Sequence, residues 1–358
     1  MRRNCKWKYK HTLSQFDIKK QQNKKSIMTD KVIGIVGCGA VAEKYHIPAI
    51  KDIFDDGSVI LVDVNEKRLK EVSQKFGLTR TSTSFKSIVT QLDAAVITTP
   101  NSTHYKLASI GIDNGLDLLV EKPLTINRSN AAQLIRNAET RDCTITVNHD
   151  RRLYPSHIEL KKLLASRNER DEIHTITVQE GGQFGWPAQS KGYFSQNGGG
   201  ILMDRGPHVL DEICWWLGEK PKLVSYQHDA YGGVEATAEI ILRSSDNIKC
   251  RVFLSWLTMQ SNTIKFVGDN VIYECEPSDW GRYWKKTNGG KKTVVHCKNE
   301  LVDKIGVIKN LYKNFISCIE NENSPMITAK STLPSIELLN ECKKKKRKFE
   351  SPWLNVKE

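Results

Sequence analysis

Three short stretches carry residues able to handle a proton or a polar ligand. In Gly198-Gly199-Gly200-Ile201-Leu202-Met203-Asp204-Arg205-Gly206-Pro207-His208, Asp204 and His208 stand four apart, so one helical face can bring their side chains together. A carboxylate beside an imidazole orients the ring and favours its protonated form, which suits a general base. Pro207 is tolerated only in a first helical turn, so the helix is expected to start near Asp204–Arg205. The plainer readings are an N-cap aspartate and a core histidine. Asp and His at this spacing can also share a zinc face, but no third ligand presents itself, and no metal is expected. In Glu121-Lys122-Pro123, a lysine before a strand-stopping proline is either exposed or aimed into a cleft, where its charge would hold a hydroxyl and lower its pKa. In the third stretch, Asn148-His149-Asp150-Arg151-Arg152-Leu153-Tyr154-Pro155, polar groups such as Asn148 and Arg151 could line a cleft or brace two domains.

The elements that must position these groups begin at residues 31–63. The apolar run Val32-Ile33-Gly34-Ile35-Val36 reads as a buried strand, and Gly37-Cys38-Gly39-Ala40-Val41-Ala42 follows as G-x-G-x-x-A. Gly37 permits the tight turn, Gly39 lets the backbone approach a pyrophosphate, and Ala42 lets the next helix pack closely. That helix is expected to begin near Ala40, presenting its free N–H groups, including those about Val41, to phosphates. A second run, Val59-Ile60-Leu61-Val62, ends at Asp63, where a ribose-binding acid belongs. Its carboxylate would accept from both ribose hydroxyls and repel a 2′-phosphate, which favours NAD. Lys67 and Arg68 are near enough to leave NADP open.

Strands and helices alternate to about residue 149. Helices are expected over 66–76, 84–89, 101–114 (capped by Asn101 or Ser102) and 128–140. Strands are expected over 93–100, 116–120 and 144–147. This is the pattern of a doubly wound parallel sheet whose strand ends, near Gly37, Asp63, Thr99, Glu121 and Asn148, form the ligand edge. From Asp150 the pattern changes. A helix at 155–166 precedes alternating runs at 173–181, 223–232, 234–243, 247–257, 262–268, 271–275 and 293–297, which predict a large, mainly antiparallel sheet. A glycine-rich loop and helix interrupt it at 197–217, and a late helix is expected over 303–320. The expected organisation is a basic extension at 1–28, a cofactor domain at 30–149, an α+β substrate and oligomerisation domain at 150–338, and a basic tail at 339–358.

The chain of 358 residues carries a net charge of +13, of which residues 1–28 hold +8 and Lys343–Lys348 hold +6. The body is therefore nearly neutral, and neither a nucleic-acid face nor a membrane partner is expected. No apolar run approaches a membrane span, and the nine cysteines contain no C-x-x-C pair, which fits a reducing, cytoplasmic setting.

Taken together, VGCGAVAEKYHIPAI, ITTPNSTHYKLA, VEKPLT, NHDRRLYP and GGGILMDRGPHVLDEICWWLG resemble the Gfo/Idh/MocA family, the glucose–fructose oxidoreductase and inositol dehydrogenase group, from Lys31 to Leu217. The resemblance implies a Rossmann domain, a C-terminal α+β domain whose open sheet forms homodimers or homotetramers, and NAD(P)-dependent oxidoreduction. Lys122 matches the family's EKP lysine, and Asp204 and His208 match its D-x-x-x-H pair, with the histidine as acid/base. Thr99, Pro100, Asn101, His104 and Glu121 match positions along the cofactor. Asn148 and Arg151 match the junction segment, with substrate contact as their expected part. The implied reaction moves a hydride between nicotinamide and a secondary alcohol or ketone of a sugar, cyclitol or nucleotide sugar. Lys122 and His208 would handle the oxygen, and Asp204 would orient His208. Redox-neutral NAD-dependent sugar chemistry, such as glycoside cleavage or epimerisation, and a non-catalytic NAD-binding role are the alternatives. Trp186, Tyr193, Arg152, Trp256, Trp280 and Trp284 could pack on a sugar face or belong to the core.

Overall fold

The computed structural model describes residues 31–166, 170, 172–187, 191–196, 199–230, 233–298, 303–321 and 323–350. The expected N-terminal extension and residues 351–358 of the expected tail lie outside these.

Strands β1 (Ile33–Val36), β2 (Val59–Val62), β3 (Thr81–Ser82), β4 (Ala94–Ile97), β5 (Asp117–Glu121) and β6 (Ile145–Asn148) form one parallel sheet in the order β3-β2-β1-β4-β5-β6. Residues of β1, β2 and β4 are buried throughout, as a sheet covered on both faces requires. The order reverses between β1 and β4, and that switch point places a crevice at the strand ends. Helices α1 (Ile47–Lys51), α2 (Glu66–Phe76), α3 (Phe85–Ile88), α4 (His104–Asp113) and α5 (Arg128–Thr140) connect the strands. A wide π turn, Ala42–His46, leads into α1. The Asn65 side chain caps α2 by accepting from the Arg68 N–H, and Gly77, with φ of 71°, ends it. Neither Asn101 nor Ser102 caps α4. A 3-10 turn over Asn101–Thr103 precedes that helix, and the Thr103 hydroxyl donates to the Pro100 carbonyl at 2.8 Å.

The second sheet has nine strands. They are β7 (Ile173–Gly181), β8 (Lys222–His228), β9 (Thr237–Arg243), β10 (Lys249–Ser255), β11 (Thr263–Gly268), β12 (Val271–Cys275), β13 (Arg282–Thr287), β14 (Thr293–His296) and β15 (Lys346–Lys348), in the order β14-β13-β12-β11-β7-β10-β9-β8-β15. Its pairs are antiparallel except β7 with β10 and β8 with β15. Burial alternates along β9, β10 and β11, so one face is packed and the other is only partly covered. The packed face meets α6 (Pro155–Ala165), the short turn α7 (Ile201–Asp204) and α8 (Gly206–Leu217) through residues such as Leu160, Leu202, Val209, Ile213 and Trp216.

Two differences from the sequence reading change where the domains end. Helix α9 (Lys304–Asn321) returns to the first domain, where Val307, Ile308, Leu311, Tyr312 and Phe315 join its core. The expected 150–338 domain is therefore not one block. Residues 339–350 are also not a tail. Helix α10 (Leu333–Lys344) buries Leu338, Leu339 and Cys342 against the second sheet, and the lysine run continues as the exposed edge strand β15. The apolar spacing of LPSIELLNEC drives that packing, and charged residues on an edge strand discourage further pairing. Strands β3, β13 and β15 are additional to those expected. No helix among the described residues is long and apolar enough to cross a membrane.

Candidate active site

The turn after β1 is fixed by its neighbours. Gly37 has φ of 102°, and a Cβ there would lie 2.8 Å from Thr99 Cγ2 and 2.9 Å from its backbone nitrogen, so only glycine fits. A Cβ on Gly39 would meet nothing within 4 Å, leaving the peptide open to a ligand. Ala40 and Val41 begin the helical turn and Ala42 is fully buried against the core. Asp63 accepts from the Cys38 N–H at 2.7 Å and the Asn65 N–H at 2.8 Å, which pins its carboxylate beside the glycine turn. An open peptide cradle beside a pinned acid suits the phosphates and ribose of a dinucleotide. Arg68 donates to the Cys38 carbonyl at 2.7 Å and pairs with Glu43, whose carboxyl it holds below the usual range. The guanidinium is thus already engaged, which weakens the case for it as a 2′-phosphate ligand.

Beyond β4, Thr99 packs on Gly37 and its hydroxyl lies 2.7 Å from that of Thr103, with Pro100 and Asn101 following on the same turn. His104 faces inward instead. Its ring nitrogens lie 2.8 Å from the Pro123 carbonyl and 2.9 Å from that of Thr99, so it ties the 99–101 turn to the Lys122–Pro123 segment. Glu121, ending β5, pairs with His46 Nε2 at 2.8 Å and accepts from Asn148 at 2.5 Å. His46 Nδ1 reaches the Tyr312 hydroxyl at 3.0 Å. Burial would raise the Glu121 carboxyl, but His46, Lys122 and Asn148 together bring it down to about 2.

Lys122, Asn148, Arg151, Asp204 and His208 line one cavity of about 420 Å³, between this edge and the second sheet. Burial lowers the Lys122 ammonium, whose Nζ donates to the Asp204 carbonyl at 2.7 Å. That carbonyl is free because the helical ladder breaks here. Pro207 has no N–H to offer Met203, and the His208 N–H donates to Arg205, at 3.1 Å, rather than to Asp204. The same break corrects the expected Asp204–His208 pairing. The Asp204 carboxylate accepts from Trp256 Nε1 at 3.1 Å, while the carboxylate nearest His208 is that of Asp150, 4.0 Å from Nδ1. Burial, with Lys122, Arg151, Lys304 and His149 close by, pushes the His208 imidazole well below its ordinary pKa.

Behind the cavity, Arg151 is clamped by Glu180 at 2.6 and 3.0 Å and by Glu212 at 3.1 Å, and Arg205 adds a 3.0 Å bond to Glu180. Burial would raise the Glu180 carboxyl, yet Arg151 and Arg205 bring it to about 2. Arg151 is thus held by protein groups first, with its edge on the cavity. Of the aromatic candidates, Trp186, Tyr193 and Trp256 line the cavity. Trp280 packs on Tyr154, Trp284 lies under Arg282 and Lys292, and Arg152 is buried against Asp211 at 2.6 and 2.7 Å. The sequence reading missed Tyr45, Phe184, Glu180, Arg205 and Lys304; Arg205 adjoins Asp204, whereas Glu180 and Lys304 come from elements remote in sequence. Among the described residues, no group of three His, Cys, Asp or Glu side chains could hold a metal ion.

A family model described as the oxidoreductase family with an NAD-binding Rossmann fold matches residues 31–149, and the Gfo/Idh/MocA C-terminal domain matches residues 158–274. The chain belongs to the Gfo/Idh/MocA oxidoreductase family. Its first domain is that family's NAD-binding domain. Oxidoreductase P35 of Formosa agariphila is 28% identical over 193 residues, 52% of this chain and 60% of that protein. UDP-N-acetylglucosamine 3-dehydrogenase of Acidithiobacillus ferrooxidans is 30% identical over 128 residues, 34% of this chain and 38% of the relative. These matches thus span less than two thirds of the relatives' length. The crystal structure of KijD10, a 3-ketoreductase from Actinomadura kijaniata, in complex with NADP and TDP-benzene, superposes with a TM-score of 0.76 at 17% identity. That match covers 90% of this chain and 98% of the other. An oxidoreductase from Agrobacterium radiobacter, in complex with NAD+, L-tartaric acid and magnesium, gives 0.72 at 18%, covering 88% and 96%. At these identities the superpositions establish the fold. In this Gfo/Idh/MocA chain, Lys122 of the EKP segment and His208 of the D-x-x-x-H segment line one cavity.

Proposed function

We propose that this chain oxidises a secondary alcohol of a sugar, cyclitol or nucleotide sugar, or reduces the matching ketone, with NAD as the favoured cofactor. The observation that carries the reading is the convergence of Lys122 and His208 on one cavity at the cofactor edge. Gly37, Gly39, Ala40, Val41, Ala42 and Asp63 would hold the dinucleotide, with Thr99, Pro100, Asn101 and Glu121 along it. The bound nicotinamide supplies the hydride acceptor or donor. His208, neutral near pH 7 because burial and nearby cations depress its pKa, takes the hydroxyl proton during oxidation and returns it during reduction. Lys122 binds the same oxygen and stabilises its developing negative charge. Asp204 fixes Lys122 through its carbonyl and Trp256 through its carboxylate. Asn148 and the outward edge of Arg151 offer polar contacts to the substrate. The aromatic lining, together with cations that already hold carboxylates (Arg151, Arg205 and Lys304), suits an uncharged polyol ring.

Two relatives favour sugar chemistry at a ring hydroxyl: the UDP-N-acetylglucosamine 3-dehydrogenase above, and scyllo-inositol 2-dehydrogenase (NADP(+)) IolW of Bacillus subtilis. A panel of free aldoses, inositols, UDP-linked sugars and their keto forms, read by nicotinamide absorbance with NAD(H) and NADP(H), tests the proposal. Turnover with one class, absent in His208→Ala, supports it. Retained NAD binding with no turnover across the panel contradicts it. The partly covered face of the second sheet also fits a homo-oligomer, which light scattering would detect as a mass above 40.7 kDa. The described cysteines are free, in keeping with a cytoplasmic setting.

A further inference from the structure

The two oxygens of the Asp150 carboxylate have different surroundings. Oδ2 accepts from the Tyr154 hydroxyl at 2.8 Å and pairs with Lys304, whose Nζ also lies 3.2 Å from that hydroxyl. Oδ1 faces His208 Nδ1 at 4.0 Å. Nδ1 is buried and makes no hydrogen bond among the described residues. Asp204, the carboxylate four residues before His208, is engaged with Trp256.

We propose that Asp150, anchored by Lys304 and Tyr154, is the positioning residue that holds His208 and balances its charge when the ring takes up a proton. This rests on His208 being the acid/base of the proposed reaction. A protonated ring carries N–H on both nitrogens, and a buried Nδ1–H with no acceptor is disfavoured. An approach of about 1 Å would bring Asp150 Oδ1 within ordinary hydrogen-bond range of Nδ1. Burial is the main influence against protonation of the ring, and Lys122, Arg151, Lys304 and His149 close by oppose it as well. Asp150 is the one carboxylate within 4.0 Å among the described residues. Burial would raise the Asp150 carboxyl, but Lys304 and Tyr154 hold it below its ordinary value, so it remains a charged acceptor. Lys304 opens α9, beyond the segments matched by the family models, so a helix that belongs to the cofactor domain's core braces the acid/base.

The test is nuclear magnetic resonance of the full chain with NAD bound and histidine rings labelled with nitrogen-15. The His208 signals are identified by their loss in His208→Ala. The proposal predicts that neutral His208 carries its proton on Nδ1. Asp150→Asn should lower the proton affinity of the ring about tenfold or more, and Lys304→Met should raise it. Asp204→Asn should leave both tautomer and affinity unchanged. A proton on Nε2 in the native chain overturns the proposal. So does a loss of the Nδ1 tautomer in Asp204→Asn, or an unchanged ring in Asp150→Asn. If Asp150→Asn does not fold, the native tautomer and the Asp204→Asn spectrum decide. Normal turnover by His208→Ala would remove the acid/base reading instead, while leaving these ring signals to report on the contact itself.

Discussion

The cofactor edge is built largely from backbone, whereas the facing side of the cavity is built from side chains that reach across the fold. Around Gly37 and Asp63 the contacts run between neighbouring strands and turns, with N–H groups of Cys38 and Asn65 fixing one carboxylate. Around Arg151 and His208 the partners come from β7, α8 and α9, and the charges are buried. A backbone cradle asks for small residues at set spacing and tolerates variety elsewhere. A buried charge network asks for every partner at once, because a single missing partner leaves an uncompensated charge.

The comparison is most sharply tested at Lys122 and His208, the two groups proposed to handle the oxygen. Lys122→Ala and His208→Ala should each lower turnover by roughly 10²–10⁴-fold, while NAD affinity, followed by calorimetry, changes little. Equal loss of NAD binding would mean that the two sides are not separable. Next, Arg151→Ala should destabilise the fold by about 3–5 kcal/mol, because Glu180 and Glu212 would lose their shared partner. Urea unfolding checks this, and a change near zero would show that the network is not structural.

The same network gives a pH window. The Glu180 carboxyl is held at about 2 against an ordinary 4.5, so its contribution is present above 4.5 and lost as pH falls from there towards 2. Acid unfolding followed by circular dichroism should show a loss of stability in that window, reduced in Glu180→Gln. The smallest expected effect lies on the cofactor side. Glu43→Gln should free Arg68 and improve use of NADP relative to NAD by a few-fold, the scale of a partly exposed ion pair. An unchanged ratio of kcat/KM values would show that Arg68 does not reach the 2′ position.

This contrast also explains what the sequence made legible. G-x-G-x-x-A and Asp63 are local signals with a fixed physical reason for their spacing, and the parallel order around them followed from alternating elements. Lys122 and His208 could be singled out as chemical groups, but their neighbours could not. The i,i+4 rule paired Asp204 with His208, and Pro207 broke the ladder that the rule assumes. Asp150 was visible only as part of a polar junction, because its partner Lys304 is more than 150 residues away. The lysine run at 343–348 obscured the apolar stripe of α10, and the return of α9 to the first domain has no signal in its own periodicity.

The most direct measurement is the fate of the carbinol hydrogen. A substrate identified in the panel would be prepared with deuterium on the carbon bearing the reacting hydroxyl, and the nicotinamide analysed by mass spectrometry after turnover. The proposed reaction predicts one deuterium in each reduced nicotinamide formed, with the rate lost in His208→Ala. Turnover with no reduced nicotinamide accumulating, and deuterium returned to the product or lost to water, would contradict net oxidoreduction and point to redox-neutral chemistry.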